Sequence, residues 1–244
     1  MKSQRKILVF AAIPAEIKAI QGRRLEPFDI DGLACLRLER PGGTRFTVCA
    51  GGIGRSAAVQ SIKKVISTQK PDWIINTGSC GALSPEMTCG DIVVPGQLIS
   101  MDRERRIRNQ SIEKQHLDCV RISLEKENRC IHRCCLFSSE KPLCTIEEKK
   151  DARIQTGCGV VDMESFWVAE TARMHECAVS VIRVVLDDAR TELPAFSGTF
   201  RGVPVPGLRP GNLLKLPGIA RKAGTVARTI GHAVGLLIDT AGPV

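Results

Sequence analysis

A chain of 244 residues that is 43% hydrophobic suits one sizeable domain with a real core better than two small ones. Its 35 Lys and Arg against 26 Asp and Glu leave a net charge of +9, which draws anionic surfaces at long range without naming one and which solubility explains equally well. With no Tyr, seven Phe and two Trp, mostly in apolar surroundings, it lacks the basic and aromatic interleaving of a nucleic-acid-binding surface, and no segment is long enough to span a bilayer.

Basic residues to Lys6 followed by apolar Ile7 to Ala15 imitate a short secretory signal. Nine apolar residues broken by Pro14 make a poor signal core, however, and Ile7–Ala12 reads equally well as the buried first strand of a parallel sheet. Pro14 and Glu16 to Ile20 then open a helix, proline being tolerated in a first turn, so Glu16 lies at a strand-to-helix passage. A second strand, Arg45–Ala50, runs into the glycine loop Gly51-Gly52-Ile53-Gly54-Arg55-Ser56. From Ala57, the residues Ala58, Val59, Ile62, Val65 and Ile66 keep helical spacing.

Trp73–Ile75 reads as a third strand entering a loop, Asn76 to Gly81, and Ile92–Val94 as a fourth, led by Gly90-Asp91. The pattern is that of a parallel α/β protein. Residues 101–118 are polar and arginine-dense, without a sustained period, and read as a surface excursion. Cys130–Phe137 reads as a strand; its Cys130, His132, Cys134 and Cys135 lack paired C-x-x-C spacing, which favours the strand over a metal site. The eleven cysteines, an odd count in a chain too long to need staples, suggest reduced thiols in a cytosolic protein.

Thr145 with Glu148 forms a capping box opening a helix to about Gln155. The apolar run after Gly157 closes on Asp162-Met163-Glu164-Ser165, and Ser165 opens another helical pattern. Ligands of α/β proteins collect at such strand-to-helix junctions, where helix N-termini supply unpaired N–H donors. A carboxylate held there, Glu164, can grip sugar hydroxyls; an isolated D-x-E would more simply be solvated. Ala178–Leu186 is a continuous apolar strand, interrupted by Ser180 and Arg183, that ends at Asp187-Asp188. Residues 195–212, rich in Gly and Pro, read as irregular, either a cover over a pocket or a plain linker. The last helix, about 217–237, carries an apolar stripe at Ile219, Ala223, Val226, Ile230, Ala233 and Leu237, opposite Arg221, Lys222 and Arg228.

Gly52 to Ala57 fits the dinucleotide fingerprint G-x-G-x-x-A between a strand and a helix, which alone would suggest NAD. The ribose-binding acid should close the next strand, whereas Asp72 precedes it and Asn76 stands near its end, so the oxidoreductase reading weakens. Glu16, Asn76 to Gly81, Asp162 to Ser165, and Arg183 with Asp187 all fall at predicted strand ends. Their order resembles the nucleoside phosphorylase and nucleosidase superfamily from about residue 6 to 190, most closely its methylthioadenosine/S-adenosylhomocysteine nucleosidase branch. The motifs carrying this are Asn76-Thr77-Gly78-Ser79-Cys80-Gly81, then Gly90-Asp91-Ile92-Val93-Val94, then Asp162-Met163-Glu164-Ser165.

The resemblance implies a three-layer α/β/α domain over residues 1–244 around a mixed, mostly parallel sheet. It also implies a homodimer or larger homo-oligomer, no cofactor or metal, and a purine nucleoside as small-molecule partner. It makes Glu16 the carboxylate activating water and Asp187 the acid serving the purine N7. Ser79 and Arg183 line the water or anion pocket, Met163 and Glu164 lie under the ribose, and Gly81 joins them in binding substrate; the glycine loop itself, with Gly52, Gly54 and Arg55, offers N–H groups as a candidate anion or sugar loop. Leu186 departs from the serine usual in nucleosidases. Glu147 to Lys150, Thr156 to Gly159 and Asp187 through Leu193-Pro194 resemble the narrower hopanoid-associated branch, which acts on a nucleoside with a polycyclic lipid tail. For that branch the +9 charge and basic final helix would suit a peripheral approach to the inner membrane face.

The implied chemistry places opposite demands on two carboxyls. A purine leaves as a neutral base while positive charge grows on the ribose, so Asp187 must hold a proton near neutral pH, through burial, while Glu16 stays ionised to accept one from water. Phosphorolysis would need several Arg and N–H donors for its anion. Asn76 stands where related phosphorylases have an arginine and 10–16 contains none, which points to water, with Arg55 as a partial replacement keeping phosphate open. A dinucleotide-dependent oxidoreductase and a non-catalytic nucleoside binder remain as readings from other classes.

Overall fold

The computed structural model describes residues 5–18, 20, 25–40, 43–124, 130–194, 196–200, 203–206 and 210–240. Strand β1 (Lys6–Ala11) leads through a sharp passage into the single turn α1 (Pro14–Lys18). A hairpin that sequence reading passed over follows, β2 (Glu26–Ile30) and β3 (Leu33–Glu39). Its turn, Asp31-Gly32, has positive φ at both residues (48° and 81°), the mirror-image geometry whose twist suits a two-residue connection. Next come β4 (Arg45–Ala50), α2 (Arg55–Gln69) and β5 (Trp73–Ala82).

The expected loop Asn76 to Gly81 is therefore strand. Its small polar residues lie along β5 because the later strand β12 pairs with them throughout. Strands β6 (Ile92–Val93), β7 (Gln97–Met101) and β8 (Ile107–Ser111) precede α3 (Lys114–Leu124). The expected excursion over 101–118 is thus an edge hairpin and the start of a helix; edge strands need no buried face on both sides, hence the missing period. Instead of one strand over Cys130–Phe137 there are two, β9 (Ile131–His132) and β10 (Cys135–Ser138), because the chain leaves β6 to pair with β7. His132 Nε2 lies 3.1 Å from Asp91 Oδ2, which separates it from the neighbouring cysteines.

Helix α4 (Ile146–Thr156) opens on the expected capping box. Glu148 N donates to Thr145 Oγ1 at 3.1 Å, and Thr145 N to Glu148 Oε2 at 3.2 Å. Thr145→Ala is expected to cost about 1 kcal/mol, lowering Tm by about 2–4 °C in a chain of this size, as thermal melting would measure. Then follow β11 (Val160–Asp162), α5 (Ser165–Met174) and β12 (Ala178–Asp187). The Gly/Pro segment expected to be irregular contains a two-stranded ribbon, β13 (Phe196–Phe200) and β14 (Val203–Pro206), where each strand is an edge and can accommodate proline. Within 195–212, residues 195, 201–202 and 207–209 lie outside the described residues. The final helix, α6 (Pro210–Thr240), starts seven residues earlier than its stripe suggested. Val226, Ile230, Ala233 and Leu237 are buried as expected, joined by Val234 and Ile238; Ala223 is exposed, and the Ile219 side chain lies outside the described residues.

Twelve strands form one sheet, parallel through β4-β1-β5-β12, β11-β10-β7 and β6-β9, with antiparallel pairs at β2-β3-β4, β5-β11, β12-β6 and β7-β8. Side-chain alternation along β1 builds the layers. Ile7, Val9 and Ala11 join a core with Val226, Ile230 and Leu237 of α6, whereas Leu8 and Phe10 pack with Ile62, Val65 and Ile66 of α2 and Val168 of α5. Helices thus cover both faces of the sheet. Among the described residues no helix is long and apolar enough to cross a membrane. Cys135 and Cys158 form a disulfide across the entrances to β10 and β11, so the expectation of reduced thiols throughout is corrected at these two.

Candidate active site

The site sits where β5 changes neighbours. On one edge it pairs with β1 as far as Asn76 and with β11 only from Gly81, so Thr77 to Cys80 have no strand partner there. Glu16, on the turn after β1, fills the gap. Its Oε1 accepts from Ser79 N at 3.0 Å and Ser79 Oγ at 3.2 Å, and its Oε2 from the Ala12 and Ile13 amides at 3.2 Å each. The carboxylate is buried, with 3% of the residue exposed. Gly78 makes this approach feasible: a Cβ there would stand 3.3 Å from both Glu16 Oε1 and Arg183 Nη1.

At the β11–α5 junction the two carboxylates divide the work. Asp162 is a buried hub that accepts from Ser138 Oγ at 2.6 Å, Arg183 Nε at 2.9 Å and Ser165 N at 3.0 Å, tying three elements together and capping α5. Arg183, 2% exposed, also donates to Asn76 Oδ1 at 3.2 Å. Glu164 turns the other way and accepts from Gly54 N at 2.6 Å. Burial, reinforced by the negative charge of Asp162, pushes its carboxyl up to about 8, against the opposing pull of Arg183.

Asp187 ends β12, and the register shift between Val185 and Asp187 sets its side chain beside Gly81, where a Cβ would come within 3.2 Å of Oδ2. Burial raises its pKa, while the Lys149 ammonium pulls it the other way. Asp188 instead leaves the strand and accepts from Arg190 N and Thr191 Oγ1, so only the first of the two acids enters the site. Lys149 of α4 was not anticipated from the sequence. Its Nζ lies 2.5 Å from Asp187 Oδ2, and the residue is 1% exposed. Glu147-Glu148-Lys149-Lys150 enters the sequence reading only through its likeness to the narrower branch, and its composition, that of an ordinary solvated turn, gives Lys149 no role.

Glu16, Ser79, Gly81, Met163, Glu164, Arg183 and Asp187 line one cavity of about 170 Å³ together with Pro142, Leu143 and Leu193, to which sequence reading gave no place in the site. Gly52, Gly54 and Arg55 are not among the lining residues. Gly52 N donates to Ala12 O, Gly54 N is taken by Glu164, and Arg55 pairs with Glu140 at 3.0 Å in an adjoining groove of about 670 Å³. That groove shares Ile53 and Met163 with the cavity. Among the described residues, none that lines the cavity is aromatic.

A parallel-centred α/β/α sheet with carboxylates converging at a change of strand neighbours defines a class of small-molecule enzyme sites. The family model for the phosphorylase superfamily matches residues 6–201, and the chain belongs to that superfamily. The 5′-methylthioadenosine/S-adenosylhomocysteine nucleosidase of Glaesserella parasuis is 31% identical over 90 residues, 36% of this chain and 39% of that relative's length. Among solved structures, the nucleosidase of the same description from Helicobacter pylori, complexed with a substituted pyrrolidin-3-ol, superposes with a TM-score of 0.80 at 14% identity over 98% of this chain and 99% of its own. The futalosine hydrolase of Helicobacter pylori gives 0.80 at 14% identity over 97% and 98%, and the Neisseria meningitidis nucleosidase with methylthio-immucillin-A gives 0.78 at 16% over 96% and 98%. At these identities the superpositions speak for the fold.

Proposed function

We propose that this protein is a purine nucleosidase that hydrolyses the N-glycosidic bond of a 5′-substituted adenosine and releases adenine. The observation carrying this reading is the meeting of Glu16, Glu164 and Asp187, from three separate elements, around a single cavity. Glu16 holds a water with Ser79 and takes its proton as oxygen attacks C1′. Glu164 and Met163 seat the ribose, and Asp187 gives its proton to N7 while the C1′–N9 electron pair leaves with the base. The rise that burial imposes on Asp187 supports its role as the acid.

Water is favoured over phosphate by where the cations point. Arg183 is engaged by Asp162 and Asn76, Arg55 faces the outer groove, and two amides of the glycine loop are already spent. The adjoining groove, which shares Ile53 and Met163 with the cavity, supports a substituent that extends from the sugar. The test follows adenine release with and without phosphate from adenosine, methylthioadenosine and an adenosine bearing a long apolar 5′ group. Phosphate-independent release is expected. Release that requires phosphate would instead favour the phosphorylase reading, and a strong preference for methylthioadenosine would remove the lipid-tailed substrate.

A further inference from the structure

The buried lysine against the proposed acid has no part in the reaction outlined above. Lys149 presents three donors to three acceptors: Asp187 Oδ2 at 2.5 Å, Asp188 O at 2.9 Å and Thr191 O at 2.8 Å. That is the full donor complement of an ammonium, so the head group is fixed in position and orientation. It approaches Asp187 at one oxygen only, leaving Oδ1 free of that contact. The capping box at Thr145 and Glu148 anchors the helix one residue before it.

We infer that Lys149 is a positioning residue for acid catalysis: it holds Asp187 by Oδ2 so that Oδ1 carries the proton for the leaving base, and it neutralises the carboxylate left when that proton departs. The inference rests on the proposed nucleosidase reading. Its balance is simple. The proton passes from Asp187 Oδ1 to the purine N7, the bonding pair of C1′–N9 goes to the base, and Lys149 keeps its own protons throughout.

Such a device resolves a conflict in the site. Burial raises the proton affinity of Asp187, which prepares it as an acid but also makes it a more reluctant donor, because the product carboxylate would be stranded away from water. A fixed cation at one oxygen stabilises that charge as it forms, without any reorganisation. The other titratable groups facing Asp187 do not supply this. Asp188, Cys80 and Cys89 raise its proton affinity or are raised by it, and Lys222 of α6 is a weaker influence than Lys149.

The sign of the effect separates this role from mere packing. Lys149→Met removes the charge that lowers the Asp187 pKa, so the alkaline fall in kcat should move to higher pH by about one unit, while the plateau drops about tenfold or more. Lys149→Arg keeps the charge and should restore both features in large part. The assay is release of base from methylthioadenosine and adenosine by the full chain, with circular dichroism confirming folding. A Lys149→Met enzyme whose alkaline limb stays put, or moves down, overturns the inference.

A measurement without turnover covers the case where no nucleoside is cleaved, which would sink the nucleosidase reading alone. Carbon-13 NMR of the Asp187 carboxyl should then show a higher midpoint in Lys149→Met than in wild type. Should neither variant fold, the wild type suffices. Its Lys149 Cε signal must keep the ammonium position throughout the Asp187 titration, and loss of the lysine proton before Asp187 titrates overturns the inference.

Discussion

Asp187→Asn is expected to lower kcat for adenine release by about 10²–10⁴-fold, the contribution typical of a positioned general acid, with KM changing much less. The amide has nearly the same shape and can still accept from Lys149 through Oδ1, so the cavity keeps its form. What it loses is a transferable proton, and the purine must then depart as an anion. The substitution also leaves the Lys149 ammonium buried without a counter-charge, facing only neutral oxygens, the new amide and the carbonyls of Asp188 and Thr191. Breaking a buried pair in this way costs up to about 3–5 kcal/mol. Thermal melting must therefore accompany the kinetics. A folded Asp187→Asn protein with near-normal turnover would remove Asp187 from acid catalysis.

The pH dependence follows from the same group. The Asp187 pKa is raised in the folded protein relative to its ordinary value, so the folded state binds this proton more tightly than the unfolded chain does. Its contribution to stability is present at low pH and is lost as pH rises through the folded value. Activity that needs the protonated acid should decline over the same interval. Glu164, raised to about 8, follows the same sign for stability.

What could be read in the sequence depended on whether a residue's role lay in its own chain neighbourhood. Asp187 was legible because the apolar run Ala178 to Leu186 ends abruptly in acid, and Glu164 because a strand gives way to a helix around it. The extent of β5 was not. Asn76 to Gly81 has the composition of a turn, and only the distant strand β12 makes it sheet. Lys149 was hidden for a sharper reason: the inward face of α4 carries Lys149 and Ala152, while Ile146 and Ile154 are exposed. Hydrophobic periodicity there points away from the face that matters. Arg55 shows the opposite error, a cation that sequence order puts in the glycine loop but that its pairing with Glu140 turns towards the outer groove.

Glu16→Gln is expected to reduce water-dependent turnover by about 10²–10⁴-fold, because the amide cannot accept the proton of the attacking water. Geometry adds a second cost. The wild-type carboxylate accepts from two N–H groups on Oε2 and from an N–H and a hydroxyl on Oε1. Whichever way the glutamine amide turns, its NH2 faces at least one backbone donor, Ala12 and Ile13 on one side or Ser79 on the other. A buried donor left unpaired costs about 1–3 kcal/mol, which melting should register. The amide should also disturb the water that the proposed mechanism places between Glu16 and Ser79. Single-turnover adenine release separates the chemical step from product departure, and supplying phosphate separates the nucleophiles. Phosphate arrives with its own negative charge and needs no base, so a phosphorylase would keep substantial phosphate-dependent turnover in Glu16→Gln. A hydrolase would not be rescued, and rescue by phosphate would transfer the role of Glu16 from activating water to positioning the sugar.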